Sequence, residues 1–315
     1  MFGLAGLLGL LMASVSIDFS NSTPSKDSED NDDDNIIEGA GDSDTLAGTD
    51  GPDSIFAYMG DDVAYGGMGN DQIDGGDGDD LLDGAEDDDW LLGGDGNDEL
   101  LGDLGDDYLD GGAGDDTLTG HAGDDMIVGG DGGDVAIGGP GADTLQGDDG
   151  DDSLMGGDDD DVLTGGNGTD VLNGNSGNDT LIGINSDDGA LSDDAARDYL
   201  NGGTGDDLLV LGSDDYATGG DGSDVFTLGD WISEGGPALI VDFDSTQDAL
   251  VVLYDDAAHP DPELWFEEVN EDPDTIMLML DGLPLVEITG AADLDPTQVS
   301  LVAESTLAQA MGVAA

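Results

Sequence analysis

Aspartate recurs at every ninth residue along half of this chain: Asp44, Asp53, Asp62, Asp71, Asp80, Asp89, Asp98, Asp107, Asp116, Asp125, Asp134, Asp143, Asp152, Asp161, Asp170 and Asp179. Each is the sixth residue of a phrase, G-G-x-G-x-D-x-(Leu/Ile)-x, that runs without a slip from Gly39 to Ile182 and is undamaged in residues 66–74, 93–101 and 111–119. A carboxylate is a hard oxygen donor, and glycines beside it let the backbone turn its carbonyls toward the same point. That is the chemistry of wrapping a hard cation, calcium before any other, and not of catalysis. The aliphatic residue two places after each Asp supplies one buried side chain on a very short strand.

The elements that position these turns follow from where the period holds and fails. Residues 183–201 form a unit enlarged by an insertion at about 184–196, predicted to be a surface loop, that closes on Asp198 and Leu200. Three more units are centred on Asp207, Asp215 and Asp224, the middle one a residue short, so the array extends over 39–227. From about Leu228 glycine thins out, and 238–243, 249–254, 264–269, 275–280 and 283–288 read as strands rich in β-branched, aromatic and aliphatic residues. Asp281-Gly282 predicts a hairpin turn, and Asp295-Pro296 a helix N-cap followed by proline. The segment 228–303 reads as a β-rich cap on the open end of a repeat stack.

The nonapeptide resembles the calcium-binding repeat of RTX (hemolysin-type) proteins. After the repeats, Ile240-Val241-Asp242-Phe243, Asp248, Leu250 and Val252 resemble the D-F-x-x-x-x-D-x-L-x-L closing strands of serralysin-type proteases and their relatives. The resemblance implies an all-β fold: a right-handed parallel β-roll solenoid, capped by a C-terminal antiparallel β region. In it six residues of each unit form a turn, three form a strand, and two units make a coil. Each calcium would sit between the turns of units n and n+2, held by sixth-position carboxylates and turn carbonyls. Asp198, Asp207, Asp215 and Asp224 then join the sixteen aspartates above as metal-site residues. The uninterrupted array would hold about 14 or more ions and extend roughly 38 Å.

Some units depart from the pattern. Asp42, Asp87 and Asp159 replace the fourth-position glycine, Ala57 replaces the first, and Pro52 and Pro140 sit inside turns. Ala64, Ala136 and Ala217 stand where Leu or Ile should fill the core. Sites beside these are predicted to be weak or vacant.

Composition narrows the function classes. The chain has 315 residues, 78 acids, two basic residues (Lys26 and Arg197), no cysteine and a net charge of −76. Such a polyanion has no basic patch for nucleic acid or phosphate, and without counter-charge it repels itself. One aliphatic side chain per nine residues is too little burial to fold the array by itself. Disulfides and thiolate metal sites are excluded, which leaves calcium to act as the staple.

No enzyme is expected. His121 and His259 are isolated, so no H-E-x-x-H zinc motif exists, and neither a G-x-S-x-G elbow nor a P-loop occurs. Residues 1–17 (MFGLAGLLGLLMASVSI) are apolar and uncharged in their side chains: an export signal, a short anchor giving the only membrane contact, or a helix docked on the body. Residues 18–38 read as a disordered acidic linker, and the tail 304–315 competes with 1–17 as the export address. On one outer face Trp90, Tyr108 and Met126 should occupy consecutive rungs, with Phe56, Leu92 and Val128 beside them, as ordinary sheet surface or as a docking patch. The expected protein is a calcium-binding repeat protein of the bacterial exterior, secreted or at the cell surface. The alternative is a calcium-dependent adhesion, matrix or surface-layer component that self-associates or binds polysaccharide.

Overall fold

The computed structural model describes residues 35–187, 190–229, 231–232, 235–269, 274–291 and 294–303. The segment 1–17, most of the linker and the tail 304–315 lie outside the described residues.

Each nonapeptide folds by the two-residue period of a strand. Positions six, eight and one point inward while seven and nine point outward, as in the run Asp71 (buried), Gln72 (exposed), Ile73 (buried), Asp74 and Gly75 (buried). The strands are longer than the three residues expected. Gln72–Asp77 is typical: it takes positions seven to nine of one unit and one to three of the next, leaving only three residues for the turn. The reason lies in the parallel register. Gln72, Ile73 and Asp74 face Trp90, Leu91 and Leu92; the ladder skips Gly75 and resumes with Gly76 facing Gly94 and Asp77 facing Asp95.

Units alternate between two parallel sheets, so that strand n pairs with strand n+2. Among the described residues one sheet has 13 strands and the other 14. The result is a parallel β-solenoid of about 10 turns. Its core is a single file of eighth-position side chains contributed by the two sheets in turn: Ile55, Ala64, Ile73, Leu82, Leu91, Leu100 and onward to Leu181, each at most 1% exposed. Ala64, Ala136 and Ala217 are fully buried in the same file, so the solenoid closes over a missing aliphatic side chain.

Two segments differ from the sequence reading. The acidic linker ends sooner than 38, because Asn35–Glu38 is already a strand, paired in parallel with Asp53–Met59. The insertion is more than a surface loop. It contains the antiparallel pair Asn185–Asp187 and Ala190–Ser192, and its Ile184 joins Ile182, Leu208 and Val210 in a second buried cluster against which Val225 and Trp231 pack. Outward residues of the sheet thus become core wherever a segment of chain covers them.

The C-terminal region is mixed. Val225–Gly229, Ala249–Tyr254 and Ser300–Ala303 prolong one sheet in parallel, while Tyr216–Asp221, Ala238–Ile240 and Leu283–Thr289 prolong the other. Among the described residues of this region only Leu264–Glu268, Thr275–Leu280 and Leu283–Thr289 pair antiparallel. Asp281 and Gly282 both take positive φ in the connection between the last two, as a tight hairpin turn requires. Asp295 caps a short 3-10 helix at Pro296–Gln298, accepting a hydrogen bond from the Thr297 N–H.

Candidate metal centre

The sixth-position aspartates form two unbroken ladders, one along each edge where the turns stack. In the first, Asp44, Asp62, Asp80, Asp98, Asp116, Asp134, Asp152, Asp170, Asp198 and Asp215 follow one another, each backbone N–H donating to Oδ1 of the next at 2.5–2.9 Å. In the second, Asp53, Asp71, Asp89, Asp107, Asp125, Asp143, Asp161, Asp179, Asp207 and Asp224 do the same at 2.8–3.0 Å. All twenty predicted residues therefore stand in line, and the enlarged and shortened units keep register. From Asp53 onward every one is at most 4% exposed, while Asp44, at the first turn, is half-buried.

The second oxygen of these carboxylates is the informative one. Oδ2 of Asp62, Asp71, Asp80 and so on to Asp179, and of Asp207, is buried with no hydrogen-bond partner. A buried carboxylate oxygen without a partner is costly, and a file of them is rare unless something else binds there.

The first-position glycine makes the room. A Cβ on Gly75 would meet Oδ2 of Asp80 and stand 2.7 Å from the carbonyl oxygen of Gly93, the first residue two units on; Gly111 stands in the same relation to Asp116 and to the Gly129 carbonyl, also at 2.7 Å. Carboxylate and carbonyl oxygens thus converge on a space that a side chain would fill. Position two needs something different, a positive φ. It keeps that conformation even where glycine is replaced, as at Tyr58, Asp103, His121 and Asn175, so the turn geometry survives the irregular units. Asp87 and Asp159 do likewise at position four.

This donor set fits calcium. The ion takes six to eight oxygens and accepts carbonyls and carboxylates together. Among the described residues no three carboxylate or histidine side chains converge as a cluster able to hold a metal. The spacing explains why. Each turn brings one inward carboxylate, and turns repeat at about 4.8 Å, so backbone carbonyls must complete any shell.

Burial also sets the protonation of the ion-free turns. Desolvation lifts the carboxyl of Asp89 and Asp161 to about 8, of Asp98, Asp107 and Asp152 to about 7, and of Asp71, Asp80 and Asp116 to about 6. The hydrogen bond from the preceding Asp N–H opposes this, and like charges in neighbouring turns add to it. Asp198 and Asp215 reach about 9 and 8, where burial is deepest. A carboxyl raised in this way binds a proton near neutrality or gives it up to a cation.

Two features go beyond the sequence reading, which took Asp248 only as part of the closing strands. Asp248 continues the second ladder beyond the repeats, its Oδ1 accepting from the Asp224 N–H at 3.1 Å and its Oδ2 from the Asp244 N–H at 2.7 Å. Its signal was the spacing Asp248-x-Leu250, which repeats positions six and eight. Asp242 beside it accepts from the N–H groups of Gly219 and Gly220, in the same unit as Asp224. The second feature is an exposed row at position five that runs the opposite way: the N–H of Asp106 donates to Oδ1 of Asp88, and that of Asp124 to Oδ1 of Asp106. Its signal was the recurrence of Asp and Asn at that position.

The aromatic rungs lie where the register predicts. Gln72, Trp90, Tyr108 and Met126 face one another in order, and the rings of Trp90 and Tyr108 stack with centroids 4.0 Å apart.

The family described as RTX calcium-binding nonapeptide repeat (4 copies) matches residues 38–73, 65–100, 74–109, 101–136, 128–163, 137–172, 146–181 and 156–190. No curated protein matches the chain. Residues 38–190 of this chain are RTX calcium-binding nonapeptide repeats.

Proposed function

We propose that this is a calcium-binding repeat protein, secreted or held at the bacterial cell surface, whose roll is assembled by calcium ions lodged between its stacked turns. One observation carries the reading: the file of buried Oδ2 atoms without partners, several of which, as at Asp80 and Asp116, share the space at a first-position glycine with the carbonyl of a glycine two units on. The ligands are the twenty sixth-position aspartates with the carbonyls of their turns, and the ions number about 14 or more. Repeats of this family are typical of exported bacterial proteins, and no helix among the described residues is long and apolar enough to cross a membrane. A chain that gains its shape only in millimolar calcium folds after export and is held outside by that folding. No catalytic role is assigned; His121 and His259 each pair with one carboxylate, Asp103 and Asp281. The test is calcium titration followed by circular dichroism with a magnesium control, and an ion count by native mass spectrometry. Calcium-specific gain of sheet with about 14 or more bound ions supports the reading; a magnesium response of equal size, or two or three ions, removes it.

A second reading, an adhesion or matrix component, draws support from the exposed fifth-position carboxylates, which present ordered acidic rows that calcium can bridge between copies or to acidic polysaccharide. Light scattering separates the two: the first predicts a monomer in saturating calcium, the second a calcium-dependent rise in mass.

A further inference from the structure

The two ends of the solenoid are finished differently. At the C-terminal end Leu278, Leu280, Leu285, Val286, Ile288 and Val299 close the core. At the other end, among the described residues, nothing does. Ile37 and Leu46 are the first inward residues of the two sheets and are only partly buried, whereas Ile55, one layer in, is 0% exposed. The first strands, Asn35–Glu38 and Thr45–Ala47, each have a single neighbour, so an edge of each sheet is unpaired among the described residues. Large apolar side chains also gather in these layers: Ile36, Tyr58, Met59, Tyr65 and Met68 are all 43–54% exposed. An open solenoid end with bare edges invites end-to-end pairing, and a covering segment is a common remedy.

We propose that the apolar N-terminal segment, residues 1–17, caps this end, seated over Ile37, Leu46, Met59 and Met68. Chain geometry permits it. The segment joins the roll at the uncapped end itself, and the intervening residues 18–34 can span up to about 56 Å, several times the roughly 10 Å between two packed sheets. Chemistry favours it, because residues 1–17 contain no Asp, Glu, Lys or Arg in a chain where 25% of residues are charged. The segment is the longest stretch of this polyanion that can lie on an apolar surface without burying a charged side chain.

The absence of cysteine allows a clean test. In the full-length chain in saturating calcium, Leu8→Cys is paired with Met59→Cys, and separately with Leu283→Cys at the far end as control. Proximity predicts an intrachain disulfide at Met59→Cys at least about tenfold faster than in the control. Hydrogen exchange over Asn35–Ala47 is then compared between the cysteine-free full chain and one starting at residue 18, with the expectation of at least about tenfold slower exchange in the full chain. Equal disulfide rates and equal exchange overturn the proposal. So does a mature protein from which residues 1–17 have been removed, a disulfide between two copies in place of the intrachain one, or recovery of the full chain on neutral lipid vesicles through the same segment.

Discussion

The backbone N–H of Asp89 donates to Oδ1 of Asp107, two units on, at 2.8 Å, while Oδ2 of Asp107 is buried without a partner. The carboxylate thus divides its work. One oxygen fixes the layer spacing by holding the preceding turn, and the other, in the proposed function, is left for the ion. Because the units from Asp62 to Asp179, and that of Asp207, repeat the division, the ladder that sets geometry and the file of unpartnered oxygens consist of the same residues.

Asp107→Asn tests the division directly. The amide oxygen can still accept from the Asp89 N–H, so the sheet should persist in calcium. The lost charge should reduce the count by one or two ions in native mass spectrometry. Asp107→Ala removes both roles and should cost about 1–3 kcal/mol more, since it strands a buried donor.

The proposed function makes calcium and protons compete for the same oxygens. The carboxyls at about 6 to 8 lie above the ordinary aspartate value of 3.8, so the ion-free roll binds protons more tightly than the unfolded chain does. Their contribution to the stability of the ion-free roll is therefore full below about pH 4 and is lost as pH rises through about 6 to 8. Ion-free protein should show more sheet at pH 5 than at pH 8. Calcium should bind more tightly at pH 8, releasing protons measurable in a weakly buffered titration.

Glycine positions one and two should respond differently. Gly111→Ala drives a Cβ toward Oδ2 of Asp116 and the Gly129 carbonyl oxygen, and should cost about 1–3 kcal/mol with loss of ions beside it. Gly112→Asn keeps the positive φ that Asn175 shows at the same position but drives a Cβ toward the Gly94 carbonyl oxygen, and should cost about 1–3 kcal/mol without loss of ions. Denaturant melts in saturating calcium, with ion counts, distinguish these outcomes.

Asp248→Ala should leave the N–H groups of Asp224 and Asp244 without their acceptor, at about 1–3 kcal/mol for each group that stays buried. The loss should appear as faster hydrogen exchange confined to the C-terminal end. An unchanged exchange pattern would place Asp248 outside the ladder.

Much of this was legible in the sequence because a nine-residue period fixes register. All twenty aspartates and the eighth-position core followed from it, and so did the consecutive placement of Trp90, Tyr108 and Met126. Strand length was not legible, since glycine has low strand propensity and only the parallel ladder from Gly76 to Gly94 draws positions two and three into the sheet. The cover over Leu208 and Val210 was hidden for another reason. It is made by Ile184 and Trp231, which carry no periodic mark and become core only through tertiary contact. Asp248 fell outside the array because its turn, Asp244 to Asp248, contains no glycine at all.

The central claim is that ions, more than apolar burial, give this chain its shape. Small-angle scattering and circular dichroism on chelated and then recalcified protein at pH 7.5 test it most directly. The account predicts that chelation abolishes the sheet signal and expands the radius of gyration toward the roughly 60 Å of an unfolded chain of this length, both reversed by calcium. Chelated protein that keeps its sheet signal and its compact radius would contradict it.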